Sequence, residues 1–362
     1  MKSVYIHIPF CNHICSYCDF TKMYYNEKLV DMYLNELEKE IKLNYKNDLI
    51  NTIYIGGGTP SSLNIKQLEK LLKIVQIFKL NKKYEYTFEC NIESLNIEKL
   101  KLLKKYNINR LSIGVQTFNE DNLKYLNRFH TRDEVFKKVV EAKKYFDNIN
   151  IDLIYALKNQ TISMLKDDIE QFLKLDINHI STYSLIIEPH TKLYIDKEKN
   201  IDEELDYEMY KFICTKLKEQ GFIHYEISNF SKKGYESKHN LTYWSNNEYY
   251  GFGLGASGFI NNIRYTNTSS INEYLKSNYI KDKEKMTKIE NMQNEMILGL
   301  RKLEGVNLNT FKEKYHEEIE KVFKIDKLLE EGKLIKKDNY IFINEKYIYL
   351  SNEVLINFIG EL

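Results

Sequence analysis

Three cysteines near the start of the chain, Cys11, Cys15 and Cys18, lie within an eight-residue segment. Thiolates are soft anionic ligands for iron, and three of them so close together can hold three corners of a cubic [4Fe–4S] cluster. Since a fourth local cysteine is missing from the segment, one iron would stay open to a small molecule. The spacing therefore predicts an iron–sulfur cluster with one accessible iron.

Zinc, a disulfide and inert thiols are the alternatives. A structural zinc site normally takes two paired ligand motifs, whereas this chain has one group of thiols. Disulfides need an oxidising compartment, but the cysteines number five and the chain starts with Met-Lys-Ser and a strand-like run instead of a signal peptide. The isolated Cys90 and Cys214 are predicted to be small buried hydrophobes.

A glycine-rich segment, Gly56-Gly57-Gly58-Thr59-Pro60, lies between a predicted strand and a predicted helix. Glycines let the backbone approach a ligand closely and expose its N–H groups. The segment is not a P-loop, because the Lys-Ser or Lys-Thr ending is missing. A tight turn without a ligand is the alternative.

The composition indicates a globular chain without a strong charge signature. Its 362 residues are 43% hydrophobic, and 53 basic and 52 acidic side chains give a net charge of +1. This balance argues against a nucleic-acid partner. No apolar run approaches the roughly 18 residues of a membrane span, so we expect a cytoplasmic protein.

Strands and helices alternate six times in the first part of the chain. The predicted strands occupy residues 4–8, 52–55, 84–90, 110–115, 149–154 and 179–185, and the predicted helices residues 27–45, 65–78, 97–106, 131–146, 161–175 and 203–220. Six βα units predict a parallel sheet curled into a partial (βα)6 barrel. Functional loops then belong at the carboxyl ends of the strands, where the cysteine loop, the glycine run, Glu89, Gln116 and Asp152 fall.

Three regions follow from this pattern. We expect the partial barrel over residues 1–220 and an aromatic-rich extension that completes the site over residues 221–286. Residues 287–362 regain helical spacing and end in strand-like alternation at 340–350, which predicts a small helical or winged-helix-like module. Winged helices often bind DNA, but the acidic residues of this module offset its lysines.

The order of several motifs resembles one family. The CxxxCxxC spacing and the Gly-Gly-Thr-Pro segment are similar to the radical S-adenosylmethionine (SAM) superfamily, in which the open iron binds SAM. Further matches resemble its coproporphyrinogen III oxidase-like branch, which includes HemN and HemW. They lie at residues 5–11, 55–61, 111–118, 128–131, 152–155, 183–189, 225–230 and 239–244.

The residue at position 20 distinguishes HemN from HemW within that branch. The oxidase HemN carries a further cysteine there, as Cys-x-Cys, whereas this chain has Cys18-Asp19-Phe20. The phenylalanine resembles HemW, which is regarded as a heme chaperone that passes heme to respiratory proteins. The HNxxYW segment at residues 239–244 is a further HemW feature.

The resemblance implies a role for each matching residue. Cys11, Cys15 and Cys18 would ligate the cluster, and Tyr5 and Tyr17 would flank the cluster and SAM. Gly57, Gly58 and Thr59 would contact SAM through the glycine-rich turn, and Glu89 would bind one of its polar groups. Gln116, Arg128 and Asp152 resemble polar positions of the SAM site or of a second SAM. The alternatives are a surface carboxylate for Glu89 and a surface salt bridge for Arg128.

Heme binding is the expectation for the HNxxYW segment. His239 could ligate the iron, and Tyr243 and Trp244 could stack on the macrocycle. The alternative is that His239 caps a turn while the two aromatic rings pack on the barrel.

Several positions depart from the family pattern. Ile92 stands where proline is usual, and Ala156, Lys158 and Asn159 replace Gly, Pro and Gly. Loss of glycine can alter the backbone, which puts the loop next to Asp152 in doubt. Ser257 stands where relatives often carry histidine.

The leading functional hypothesis is a HemW-like heme chaperone with a [4Fe–4S] cluster, SAM and heme as cofactors. Its partners would be heme or a porphyrin, heme-acceptor proteins and an electron donor, with peripheral membrane contact left open. The alternative is an oxygen-independent coproporphyrinogen III oxidase, which decarboxylates its substrate by means of a 5′-deoxyadenosyl radical. A radical SAM enzyme acting on nucleic acid is disfavoured by the neutral charge.

Overall fold

The computed structural model describes residues 2–360. Its strands are β1 (Lys2–Ile8), β2 (Phe10–Cys11), β3 (Met23–Tyr24), β4 (Leu49–Gly57), β5 (Lys79–Asn91), β6 (Arg110–Gln116), β7 (Asn148–Tyr155), β8 (His179–Ser184), β9 (Ile223–Glu226), β10 (Asn229–Ser231), β11 (Tyr249–Phe252), β12 (Ser257–Ile260), β13 (Ile263–Asn267), β14 (Ile280–Lys285), β15 (Val306–Asn307), β16 (Leu334–Lys337) and β17 (Tyr340–Ile343).

The α-helices are α1 (Glu27–Asn44), α2 (Ile65–Val75), α3 (Ile97–Lys105), α4 (Glu120–Tyr125), α5 (Arg132–Lys143), α6 (Ile162–Lys174), α7 (Lys192–Ile195), α8 (Glu203–Glu219), α9 (Lys238–Trp244), α10 (Ile271–Tyr274), α11 (Lys288–Gly299), α12 (Leu308–Tyr315), α13 (Ile319–Val322), α14 (Asp326–Glu330) and α15 (Ser351–Leu355). Asparagine side chains cap the first helices of the barrel: Asn26, Asn64 and Asn96 each accept a hydrogen bond from the third residue of their helix.

The six predicted parallel strands form the centre of one large sheet, which confirms the predicted fold class. Their order is β1-β4-β5-β6-β7-β8, and every neighbouring pair is parallel. Because crossover helices connect these strands, their carboxyl ends meet at one edge of the sheet.

The barrel strands are buried on both faces, but the two faces differ in chemistry. In β6, the polar Arg110 and Ser112 alternate with the aliphatic Leu111 and Ile113, and all seven residues of the strand are buried. Since successive side chains of a strand point to opposite faces, the aliphatic set packs beneath the helices and the polar set faces the barrel interior. The interior is therefore a polar, hydrogen-bonded environment.

The extension after α8 contributes strands to the same sheet, which the irregular sequence pattern of this region did not predict. β11 pairs in parallel with β1, and β12, β13 and β14 continue antiparallel from it. On the other side, β10 pairs with β8 and β9 with β10. The sheet therefore reaches past residue 220 to Lys285, and the predicted domain boundaries stay a prediction.

The C-terminal part has its own core. Helices α11 to α15 surround a three-stranded sheet in the order β15-β17-β16, and Met296, Phe311 and Ile341 are among its buried side chains. The strand-like alternation at residues 340–350 corresponds to β17, which ends at Ile343. None of the helices within residues 2–360 has the length and apolar content of a membrane-crossing segment.

Candidate functional site

A cavity of about 380 Å³ opens at the carboxyl ends of the parallel strands. Its volume falls in the range of small-molecule pockets. Eleven of the residues singled out from the sequence border it: Cys11, Cys15, Tyr17, Cys18, Gly57, Gly58, Thr59, Glu89, Gln116, Arg128 and Asp152. The other four, Tyr5, His239, Tyr243 and Trp244, do not line it.

The three motif thiols stand at one wall of this cavity. Cys11 ends β2 and is buried, while Cys15 and Cys18 are half-buried in the loop that follows. Thr59 Oγ1 donates to the Cys11 sulfur at 3.4 Å, and Arg128 Nη1 lies 3.8 Å from the Cys15 sulfur. Burial raises the pKa of Cys18 to about 11 and also raises that of Cys11. A bound metal reverses this preference, because a coordinating thiol loses its proton.

The thiols border a shared space instead of meeting at a point. Among residues 2–360, no three His, Cys, Asp or Glu side chains converge as ligands of a single metal ion would. In a cubic cluster each thiolate binds a different iron, so the three sulfurs stand apart around a shared volume. Three soft thiolates at one wall of the cavity fit an iron–sulfur cluster.

The glycine-rich turn lies directly against the cysteine loop. A Cβ added to Gly58 would stand 2.9 Å from the Cys11 sulfur and 2.8 Å from the backbone carbon of Pro9. Gly57 has a φ of 117°, and a Cβ there would meet the His7 ring at 2.6 Å. Only glycine fits these two positions, so the turn can bring backbone groups close to the thiols and to a ligand.

Glu89 lies inside the cavity at the end of β5 and is not a surface carboxylate. It accepts hydrogen bonds from the Tyr54 hydroxyl at 2.7 Å and from the Gly57 amide at 2.9 Å. Its pKa is raised to about 7, mainly by burial and also by the charge of Asp152, while the two hydrogen bonds oppose the shift. The fixed position and the high proton affinity suit a carboxylate that pairs with a cationic ligand.

Asp152 is the second buried carboxylate of the cavity wall. Asn150 Nδ2 donates to it at 2.8 Å and Ser112 Oγ at 3.3 Å. Burial raises its pKa, partly offset by hydrogen bonds and by the charge of Arg110. The interior therefore holds two carboxylates that a positive ligand would stabilise in their ionised form.

Arg128 is buried and already has an anionic partner. One of its Nη atoms donates to Glu93 at 3.2 Å and to the Gly114 carbonyl at 2.9 Å, and its Nε has no partner. Burial opposes ionisation of Glu93, but the hydrogen bond from His130 and the charge of Arg128 outweigh it and hold the Glu93 pKa at about 2. Arg128 is thus held against the cysteine loop by a charged pair and is not part of a surface salt bridge.

Gln116 ends β6 in a left-handed conformation, with a φ of 68°. This conformation is costly for a residue with a side chain and is often found at functional sites. Its Oε1 is buried without a hydrogen-bond partner. Among the described residues, this oxygen and the Nε of Arg128 are two buried polar atoms of the cavity wall without a hydrogen-bond partner, which is unusual for buried polar groups.

These features fit the groups of SAM, which has a sulfonium, an ammonium, a carboxylate and an adenosine. Glu89 and Asp152 match the positive groups, whereas the guanidinium of Arg128 matches a carboxylate. The amides of Gly57, Gly58 and Thr59 already donate to Glu89, Ile8 and Phe10.

The two tyrosines expected to flank the ligands differ in position. Tyr17 borders the cavity beside the cysteine loop. Tyr5 lies one layer deeper: its hydroxyl is 3.0 Å from His7 Nδ1 and its ring is 6.2 Å from that of Tyr54. Tyr5 therefore supports cavity-lining side chains and has no contact with the cavity itself.

His239 lies in α9 and is buried, 1% exposed. Its Nδ1 is 2.7 Å from Thr52 Oγ1 and its Nε2 is 2.7 Å from the Tyr243 hydroxyl, so both ring nitrogens are engaged. Its ring packs 5.1 Å from that of Tyr54. These contacts resemble the alternative in which the HNxxYW segment packs against the barrel. Heme ligation by His239 stays a prediction, and it would require the ring nitrogens to give up these partners.

The other two members of the HNxxYW segment also pack against protein. The ring of Tyr243 contacts those of His239 and Tyr249, and Trp244 lies 5.7 Å from the Arg301 guanidinium. Ser257, which replaces a histidine of relatives, is exposed on β12 and outside the cavity lining.

Sequence reasoning missed three residues that hold the site. Tyr54 fixes Glu89, Arg110 offsets the two buried carboxylates, and Glu93 holds Arg128. Residues two apart in a strand share one face, so Tyr54 lies on the face of Gly56 in β4 and Arg110 on the face of Ser112 in β6. This alternation of polar residues along buried strands was a signal by which Tyr54 and Arg110 could have been found. Glu93 follows its strand in a short helical turn and carries no such signal.

The fold and the site define a radical SAM protein with a HemN-type C-terminal domain. Residues 5–172 match the radical SAM superfamily, and residues 286–349 match the HemN C-terminal domain. The chain is 42% identical to the heme chaperone HemW of Bacillus subtilis (strain 168), over 100% of both chains. It is 41% identical to the heme chaperone HemW of Lactococcus lactis, over 99% of this chain and 97% of the relative. The chain belongs to the HemW family.

Among solved structures, the fold matches coproporphyrinogen III oxidase (HemN) of Escherichia coli with a TM-score of 0.87. The match covers 99% of this chain and 89% of the oxidase, at 21% sequence identity. It supports the fold, including the C-terminal domain. The cofactors of the radical SAM superfamily are a [4Fe–4S] cluster and SAM, and the residues around the cavity fit both.

Proposed function

We propose that this protein is a heme chaperone: it binds heme and transfers it to acceptor proteins, with a [4Fe–4S] cluster and SAM bound at the carboxyl ends of the barrel strands. The observation that carries the proposal is the full-length similarity to HemW proteins at 42% and 41% identity. Both relatives are described as heme chaperones, and the similarity includes the C-terminal domain as well as the barrel.

Phe20 supports the chaperone over the oxidase. It stands where the oxidase branch has a further cysteine, and its side chain is 60% exposed at the border of the cavity. An exposed aromatic ring can contact a flat hydrophobic macrocycle, whereas a thiol beside the cluster can take part in chemistry.

The residue roles form part of the proposal. Cys11, Cys15 and Cys18 would hold the cluster, whose open iron would bind SAM. Gly57, Gly58 and Thr59 form the turn that contacts SAM. Glu89 and Asp152 pair with its positive groups, and Arg128 and Gln116 offer donors and acceptors to its polar ones. Tyr17 covers the cluster loop, and Tyr5 supports the wall behind it.

The wider context follows from the same proposal. The partners are heme, heme-acceptor proteins and an electron donor for the cluster, and the protein acts in the cytoplasm with peripheral membrane contact left open. The three regions 1–220, 221–286 and 287–362 act as barrel, site-completing extension and C-terminal module.

The test is a transfer experiment under anaerobic conditions. Cluster-loaded protein is mixed with one equivalent of hemin, freed of excess, and then incubated with an apo-cytochrome whose absorbance reports heme uptake. We expect stoichiometric hemin binding and delivery to the cytochrome with heme mass unchanged. Absence of hemin binding by protein that contains cluster and SAM would refute the proposal.

A further inference from the structure

A protein that holds heme by its iron needs a ligand that the iron can reach, and the histidines of this chain differ sharply in this respect. Five of its eight imidazoles are fixed by hydrogen bonds inside the fold. These five are His7, His130, His179, His224 and His239. The remaining imidazoles are those of His13, His190 and His316.

Of these three, only His13 borders the cavity. It is exposed in the cysteine loop, two residues after Cys11 and two before Cys15. Its one contact in the described part of the chain is with the ring of Phe129, at 4.8 Å between ring centroids. Both of its ring nitrogens are therefore free to meet a ligand.

Exposed apolar side chains lie beside this imidazole and, separately, at the border of the same cavity. Phe129 is 60% exposed beside it, and Phe20 (60% exposed) and Ile186 (62% exposed) border the same cavity. Single exposed hydrophobes are common on protein surfaces, but several at the mouth of one pocket mark a binding surface. Lys22, also at this border, donates to the carbonyls of Cys18 and Phe20, so it has no carboxylate partner.

We propose that His13 is the axial ligand of the heme iron, with the macrocycle lying over Phe20, Phe129 and Ile186 at the mouth of the cavity. A neutral imidazole is a strong ligand for heme iron, the apolar rim matches the porphyrin faces, and Lys22 matches a propionate. This inference rests on the proposed heme function and assigns it a site that differs from the HNxxYW segment. Heme then sits outside the SAM-binding interior.

The test compares variants of the cluster-loaded protein by anaerobic hemin titration. His13→Ala is expected to raise the dissociation constant for hemin at least tenfold and to shift the Soret band. Added free imidazole is expected to restore the wild-type band, because it replaces the missing ligand. Protoporphyrin IX has no iron, so its affinity should stay within twofold of the wild-type value.

Two further variants keep the result interpretable. His316→Asn removes an exposed histidine of the C-terminal module and is expected to leave hemin binding unchanged. Phe129→Ala changes the rim outside the cysteine loop and is expected to weaken both hemin and protoporphyrin IX about threefold to tenfold. Iron and sulfide are measured in every variant, so that a lost cluster is recognised.

The outcomes separate this inference from the function on which it rests. If His13→Ala retains the wild-type Soret band and hemin affinity, His13 is not the ligand and the proposal is overturned. If the wild-type protein with its cluster does not bind hemin, the heme function itself fails.

Discussion

Tyr54 donates its hydroxyl hydrogen to Glu89 at 2.7 Å, and on its other side its ring packs against His239 at 5.1 Å between ring centroids. The tyrosine thus connects helix α9 with a carboxylate of the cavity wall. Because a second bond from Gly57 holds the other oxygen of Glu89, the carboxylate has little freedom to turn.

Replacing Tyr54 by phenylalanine tests this connection. The ring and its packing remain, while Glu89 loses one of its two hydrogen bonds. A hydrogen bond to a charged group contributes about 1.5 kcal/mol, so we expect the dissociation constant for SAM to rise roughly tenfold in Tyr54→Phe. Tyr84 is a half-buried tyrosine of β5 that donates to the Asn107 carbonyl, outside the cavity lining. Tyr84→Phe is the control and should bind SAM as the wild type does. Equal SAM affinities in all three proteins would show that Tyr54 has no influence on the site.

The proton affinity of Glu89 predicts a pH dependence of SAM binding. With a pKa of about 7 in the ligand-free protein, the carboxyl is largely neutral at pH 6 and must release its proton to pair with a cation. SAM affinity should therefore rise as the pH increases towards about 7 and level off above it. The negative charge of Asp152 raises the pKa of Glu89, and the positive charge of Arg110 lowers it.

Isothermal titration between about pH 5.5 and 7.0 measures the rise in affinity, below the pKa of about 7.7–8.0 that is usual for an α-amino group. Glu89→Gln removes the titrating group, so its SAM affinity should be weaker and nearly constant over the range. A wild-type affinity that is flat with pH, or that falls as pH rises, would contradict the assignment of Glu89 to a positive group of SAM.

The loop after Asp152 has a glycine-like backbone conformation at the two positions where the family pattern has glycine and this chain has Ala156 and Asn159. Ala156 has a φ of 60°, in the left-handed region that glycine adopts at low cost, and Asn159 has a φ of 61°. A side chain in this conformation costs about 1 kcal/mol, less for asparagine. We expect Ala156→Gly to increase the free energy of unfolding by about 0.5–1 kcal/mol and Asn159→Gly to change it less. Urea unfolding of both variants measures the difference, and a destabilised Ala156→Gly would show that the buried methyl group matters more than the strain.

Cysteines inside and outside the motif can be compared at the cavity itself. Cys90 also borders the cavity, but it is buried at the end of β5 and points to the Phe88 carbonyl at 3.8 Å. Cys15→Ala should abolish the brown colour of anaerobically reconstituted protein and lower its iron content, whereas Cys90→Ala should keep both. Loss of the cluster in Cys90→Ala alone would reverse the ligand assignment.

The sequence predicted the barrel well because each of its strands is a run of β-branched and aromatic residues followed by a helical pattern. It did not predict β11, which has only four residues and whose pairing with β1 joins positions more than 240 residues apart. Short strands carry little local signal, and their pairing depends on the rest of the sheet.

Eleven residues of the cavity wall were predicted from motifs, but Tyr54 of the same wall was not, and the sequence did not predict how His239 is held. Its partners Thr52 and Tyr54 precede it by more than 180 residues, and no local pattern indicates that both ring nitrogens are engaged. Long-range contacts of this kind become visible only in the folded chain.

A heme carrier leaves a porphyrin substrate unchanged, whereas an oxidase removes carboxyl groups from it, and one assay decides between the two functions. Protein with its cluster reconstituted is incubated anaerobically with a reductant, SAM and coproporphyrinogen III, and the porphyrins are analysed by mass spectrometry. We predict that the substrate is recovered with all its carboxyl groups while the same sample still binds hemin. A product that has lost two carboxyl groups would contradict the account and identify an oxidase despite Phe20.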